Sequence, residues 1–481
     1  MKKLLAFALC ALAGSAVADE IEGLPPVGTP SHFAPVQPRE KTLANGLRVV
    51  VIERPGLPIL SVQMLIKSGA EADPPSLAGL ANFTATMLTS GTATLTAPQF
   101  AQAIDALGAK IETDVGWDFT GARLTTLSSN AAPALALLAD AARRPAFAPA
   151  EIARTRRQLF DELRLSLEEP STVARLVARR TALGASPYAH AAKGTLASLA
   201  HIARPDIIAL HRRDFQPANA ILIFAGNLTA EQAFQMAENS FGDWKAEKAQ
   251  SPPKPVSISL PAPRVVLVDM PNAGQAAVFL AEPGITRGDP DYFAGKVCNC
   301  VLGGGYSSRL NQEVRVKRGL SYGAVSSIDP LRATGLFLAS AQTKEPSAIE
   351  VARVMQAEVQ RLATEPVDDA YLDSRKAVLT GAFARDCETN EGYTKRLGEL
   401  ALYGLPLDSL NQYADDIGKI SPGEVSKFAA AHLPASALSI SIAGSAKEIA
   451  PQLREYFPNA EVIPKSELDF DSATLRKPAR R

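Results

Sequence analysis

Residues 202–226 read IARPDIIALHRRDFQPANAILIFAG, and residues 420–444 read ISPGEVSKFAAAHLPASALSISIAG. Each stretch opens a helix with a proline, breaks at a second proline and closes in an apolar run ending Ala-Gly. Proline suits a helix's first turn, where the N–H it lacks would have no partner, and a short apolar run between turn signals suits a buried strand. Pro205 is answered by Pro422, Pro217 by Pro434 and Ala225-Gly226 by Ala443-Gly444, at offsets of 217 and 218. Upstream, Arg48–Ile52 is answered by Arg264–Val268 at an offset of 216. A near-constant offset at both ends of each half marks an internal duplication, and a unit of roughly 215 residues is too long for a solenoid repeat. The expected fold is α+β, with two homologous domains, each an antiparallel-rich sheet covered by helices.

Composition agrees. A chain of 481 residues exceeds what one core usually serves. Lys+Arg and Asp+Glu both number 50, so nothing in the charge balance points to nucleic acid or to an anionic membrane surface. Residues 1–18 read as a signal peptide: Lys2 and Lys3, the apolar run Leu4–Leu12, then Ala16-Val17-Ala18. The mature protein is therefore expected to be exported, in a periplasm if the source is Gram-negative, with no integral membrane segment left. A Pro-rich lead-in covers 19–40, the first domain 41–244, a Pro/Lys/Ser linker 245–263, the second domain 264–465 and a tail 466–481, whose basic end LRKPARR reads as solvated. In the first domain, Arg48–Ile52 and Leu60–Ile66 read as antiparallel strands joined by Pro55-Gly56-Leu57-Pro58, Leu77–Thr89 as a helix, and Ala148–Glu169 as a long one. Cys298, Cys300 and Cys387 read as buried thiols.

Chemistry concentrates in Leu302–Gly323, LGGGYSSRLNQEVRVKRGLSYG. Gly303–Gly305 lack the residues of a phosphate loop and read as a tight backbone turn before a helical run. Arg318 and Tyr322 follow, four residues apart. A guanidinium fork and a phenol make a donor pair suited to carbonyl oxygens. The alternative is an Arg paired with an acid such as Glu313 and a Tyr that only packs.

With LANGLRVVVIERPGLPILSVQMLIKSGA, GLANFTATMLTSGT and RQLFDELRLSLEEP, this motif resembles the pitrilysin/insulinase-like zinc peptidases (inverzincins), in particular their short two-domain class. The family's zinc helix carries H-x-x-E-H. Here Asn82 and Thr86 stand where the His ligands should be, Ala85 stands where the general base should be, and Glu162 matches the third ligand, with Thr155 at a position often Glu. The five histidines, His32, His190, His201, His211 and His432, include no pair at helical spacing. One Glu without His or Cys cannot furnish three protein ligands, so no metal is expected on this chain. In the short class a zinc-bearing subunit pairs with one lacking zinc, and the latter supplies an Arg and a Tyr. The resemblance therefore implies a non-zinc subunit, half of a clam-shell, with Arg318 and Tyr322 orienting an unfolded peptide at the zinc site of a paralogous partner. The family's substrate-pairing strand corresponds to Gly108–Asp114, where Glu112-Thr113 replace the usual Asn-Ala. An inactive peptidase-fold scaffold or peptide-binding protein is the alternative.

Overall fold

The protein is described by a computed structural model over residues 37–246 and 260–478. The signal peptide, residues 19–36 of the lead-in and residues 247–259 of the linker lie outside the described residues.

Two six-stranded sheets repeat one topology. The first holds β1 (Arg39–Thr42), β2 (Arg48–Glu53), β3 (Ile59–Ile66), β4 (Lys110–Val115), β5 (Thr120–Leu127) and β6 (Ala220–Gly226), in the order β1-β2-β6-β3-β5-β4. The second holds β7 (Val265–Asp269), β8 (Ala276–Gly284), β9 (Ser321–Pro330), β10 (Gly335–Thr343), β11 (Ser439–Gly444) and β12 (Glu461–Pro464), in the order β12-β7-β11-β8-β10-β9. β2 runs parallel to β6, as β7 does to β11, and the three remaining pairings of each repeat are antiparallel. Only the outermost strand differs: β1 joins β2 antiparallel from upstream, and β12 joins β7 parallel from downstream.

Three expectations need correction. β2 and β3 run antiparallel as expected but are not neighbours, because β6 lies between them. All seven residues of β6 are buried, and a strand apolar on both faces belongs in the centre of a sheet. The lead-in does not extend to residue 40, since Arg39 and Glu40 already pair with Val51 and Val50. The basic end is not wholly solvated either: Leu475 is buried, and Arg476 donates to the Val462 carbonyl.

The first half carries α1 (Leu80–Met87), α2 (Ala97–Ala106), α3 (Ala131–Arg143), α4 (Pro149–Ser166) and α5 (Pro170–Leu183). α1 and α3 pack on the first sheet through Leu80, Phe83, Met87, Leu135 and Leu138. α5 instead covers the second sheet, where Val173, Val177 and Ala178 meet Val266, Phe279 and Ala281. The second half reciprocates: its helix Asn390–Leu402 lies on β3 and β6, so close that a Cβ on Gly398 would come 2.9 Å from Gln63 Oε1. Burying a Val or Leu fully stabilises by about 1.5–3 kcal/mol, so this exchange of helices ties the halves firmly. Asp118 completes the junction. It accepts from Tyr188 of its own half at 2.6 Å, and from Tyr403 Oη at 3.0 Å and the Arg332 N–H at 2.8 Å across the junction. Beside it, burial first and the Asp118 charge second push the Glu71 carboxyl up to about 8, with Arg332 opposing. No helix among the described residues is long and apolar enough to cross a membrane.

Candidate functional site

The residues singled out by the sequence fall in two places. In the first half, α1 enters through Gly79 at φ +89°, where the Asp73 carboxylate accepts from the N–H groups of Gly79 and Ala81 at 2.7 and 2.8 Å. Apolar residues at Leu80, Phe83 and Met87 turn one face of α1 to the core, and Ala85 is also buried, at 2 % exposure. Asn82 and Thr86 are half-buried, and the Thr86 hydroxyl is spent on the Asn82 carbonyl of its own helix at 2.8 Å. Glu162 on α4 is exposed and accepts from the Gln158 amide at 2.9 Å. Thr155, seven residues earlier on α4, is buried.

The donor set does not fit zinc. Ala85 offers no donor atom, the Thr86 hydroxyl already donates within its helix, and the Asn82 amide and a single carboxylate remain, short of the three protein ligands a catalytic zinc site takes. Among the described residues, Asp289, Asp291 and His432 bring three ligand-type groups together, but they lie in the second half. There, Asp291 pairs with His432 at 3.1 Å and joins the start of helix Tyr292–Leu302 to the end of helix Pro422–His432.

Asn82 and Glu162 nevertheless share a cavity of about 300 Å³ between α1, α4 and α5. Its wall includes Trp117, Arg179 and His190. The Arg179 guanidinium lies 4.4 Å from the Trp117 ring centroid and donates to the Tyr188 carbonyl at 3.0 Å. His190 meets Trp117 edge-on at 5.3 Å, with Nε2 3.7 Å from the Asp73 carboxylate. Burial pushes that carboxyl up, against the opposing effects of nearby His190 and of the N–H groups of Ala81 and Gly79. The sequence reading missed Trp117, Arg175, Arg179, His190 and Lys193. The usable signal was Arg175 and Arg179 at i and i+4 of α5, which puts both on one helix face.

The second place is the loop after the helix Tyr292–Leu302. A Cβ on Gly303 would stand 2.1 Å from the Ser326 nitrogen, so glycine is required for the loop to lie against β9. The Gly303 carbonyl accepts from the Ser326 N–H at 3.2 Å, and Asn311 Oδ1 from the Ala324 N–H at 3.4 Å. The expected helical run is one short turn, Arg309–Asn311, widening to a π-turn over Gln312–Val316. Such turns are frequent at functional sites. It ends at Gly319, φ +62°. Arg318 Nη1 donates to both the carboxylate and the carbonyl of Glu313, while Nη2 has no partner among the described residues. Burial opposes charge on Glu313, yet hydrogen bonds from Lys317 and Arg318 hold its carboxyl below the ordinary value. Tyr322, the second residue of β9, is 90 % exposed, and its hydroxyl makes no hydrogen bond among the described residues. Arg318 thus has the acidic partner foreseen in the packing alternative, whereas Tyr322 does not pack.

Cys298, Cys300 and Cys387 are buried free thiols. Burial pushes Cys298 up to about 12.

Similarity to other proteins extends over both halves. Residues 48–194 match the family described as Insulinase (Peptidase family M16), and residues 201–379 match the Peptidase M16 inactive domain. An uncharacterized zinc protease of Mycobacterium tuberculosis is 27 % identical over 374 residues, which cover 77 % of this chain and 85 % of the relative. A protein of Helicobacter pylori named as a non-peptidase homolog is 24 % identical over 84 % of this chain and 94 % of its own. The crystal structure of a peptidase M16 inactive domain from Pseudomonas fluorescens matches with a TM-score of 0.80 at 27 % identity, over 85 % of this chain and 98 % of that one. With both family descriptions matched in order and the two-sheet fold shared, the chain belongs to the insulinase-like peptidase M16 family.

Proposed function

We propose that this chain is the metal-free subunit of an exported two-chain zinc peptidase, in which it supplies Arg318 and Tyr322 to a peptide held at a paralogous partner's zinc. One observation carries the reading. The Arg318 Nη2 arm and the Tyr322 hydroxyl, four residues apart, are both left without partners among the described residues, while the Glu313 bond fixes the other arm of the Arg318 fork. A fork anchored at one nitrogen is pre-oriented, so its free arm and a phenol can hold successive main-chain carbonyls at little entropic cost. The partner would bear H-x-x-E-H, the two chains would close as a clam-shell, and unfolded peptide would be the substrate. Export rests on the signal peptide read in residues 1–18.

The alternative is an inactive scaffold or peptide-binding protein, favoured by the loss of the ligand set and by the Arg318–Glu313 pair. One experiment separates the two readings. The purified chain is assayed on an unfolded protein substrate alone and mixed with a zinc-bearing paralogue from the same organism. The proposal expects no cleavage alone and cleavage in the mixture beyond that of the paralogue by itself. Arg318→Ala and Tyr322→Phe should each lower that turnover about 10- to 100-fold with assembly intact. No gain on mixing supports the scaffold.

A further inference from the structure

We propose that the cavity beside Asn82 and Glu162 is an anion pocket that takes a peptide carboxylate, with Arg175 and Lys193 gripping the charge and Trp117 and Leu163 flanking the neighbouring apolar side chain. The proposal stands whether or not the chain works with a zinc-bearing partner.

Charge is the first ground. Three fixed cations, Arg175, Arg179 and Lys193, line this cavity against one carboxylate, Glu162, although the chain as a whole has no net charge. Glu162 is exposed and bonded to Gln158, which leaves it poorly placed to neutralise them.

The partners of those cations are the second ground. Arg179 is structural: it is stacked on Trp117, bonded to the Tyr188 carbonyl and 3.5 Å from the Asp329 carboxylate. Its role is to hold the indole as a wall. Arg175 lies one turn earlier on α5 and is exposed, as is Lys193. Among the described residues neither makes a hydrogen bond or an ion pair. Burial lowers Arg179 to about 10, and Arg175 adds to this from close by, against the raising effect of Asp329. The two guanidiniums therefore repel, and an anion bound by Arg175 would offset that repulsion. An arginine fork matches a carboxylate in two parallel bonds, and a lysine adds a point charge.

Shape is the third. The apolar wall comprises Trp117, Leu159, Leu163 and Leu176, and Val115, the last residue of the edge strand β4, also lines the cavity. Among the described residues no strand pairs with the outer side of β4. An extended peptide added along that edge would reach the cavity, which points to a peptide as the occupant.

The test uses the full chain and small probes: N-acetyl-phenylalanine with its free carboxylate, N-acetyl-phenylalaninamide, and N-acetyl-Phe-Glu-amide, each titrated and followed by ligand-observed NMR. The expected result is that the carboxylate probe binds about tenfold tighter than the amide and that the advantage shrinks as salt screens it. Comparable binding of the Glu-containing amide assigns the pocket to acidic side chains as well; its failure to bind restricts the pocket to C-terminal carboxylates. The variant Arg175→Ala/Lys193→Ala alters two exposed side chains, so its thermal melt should match the parent while the preference for the carboxylate disappears. Equal affinity for acid and amide, no binding of either, or a preference that survives the double substitution overturns the proposal.

Discussion

The two halves share a strand order and have parted in their chemistry. In the first half the sheet ends in β4, whose outer side carries no partner strand among the described residues. In the second it ends in β9, whose outer N–H groups at Ala324 and Ser326 are taken by Asn311 and Gly303. The first half lacks the residues that would hold a metal, and the second carries a loop in which Arg318 Nη2 and the Tyr322 hydroxyl have no partner among the described residues. Core packing explains why both could happen. Leu80, Phe83 and Met87 fix α1 against its sheet, whereas Asn82 and Thr86 face away from that core and can change without unfolding it. Backbone closeness explains the opposite behaviour at Gly303, where no side chain fits.

The contrast can be broken at its glycines. Gly303→Ala should destabilise the chain by about 3 kcal/mol or more, because backbone rather than a flexible side chain blocks the new methyl group. Gly108→Ala, just before β4, has no atom within 4 Å of its Cβ and only a φ of +57° to object, so a loss of about 1 kcal/mol is expected. Urea unfolding of both variants measures the difference. Equal losses would mean that the β9 edge is not closed in this way.

The junction between the halves should respond to pH. Burial raises the folded pKa of Glu71 from 4.5 to about 8. Between those values the folded chain keeps a proton that the unfolded chain has released, so stability falls as pH climbs through that window. Glu282 on β8, pushed to about 8 by burial alone, adds to the fall. Glu71→Gln should remove its share, on the order of 3 kcal/mol between pH 5 and 8, and leave the slope from Glu282. An unchanged profile in chemical denaturation would show that Glu71 is not buried at the junction. The smallest effect is at the thiols: native protein should resist maleimide at Cys298, whose thiol stays protonated and buried, and rapid labelling there would contradict the packing of helix Tyr292–Leu302.

Much of this was legible in the sequence. The 217- and 218-residue offsets announce two copies of one topology because prolines and the final Ala-Gly mark where helices and strands end. The missing metal ligands were readable because ligand chemistry is a matter of residue type. Three things were hidden. The insertion of β6 between β2 and β3 depends on burial of both its faces, which a hairpin-like Pro-Gly-Leu-Pro link masks. The exchange of α5 and helix Asn390–Leu402 between the sheets leaves no local signature, since an apolar stripe does not say which sheet it covers. The cavity's cations come from α5 and from the 190–194 segment, distant in sequence from Asn82, and only the fold brings them together.

The central claim is that a peptidase fold persists here without a metal centre of its own. Its most direct test is the zinc content of the purified chain after equilibration with zinc and dialysis, measured beside hydrolysis of an unfolded protein, with Glu162→Ala as the control. The account predicts no stoichiometric zinc that depends on Glu162 and no hydrolysis by the chain alone. One zinc per chain, lost together with hydrolysis in Glu162→Ala, would contradict it.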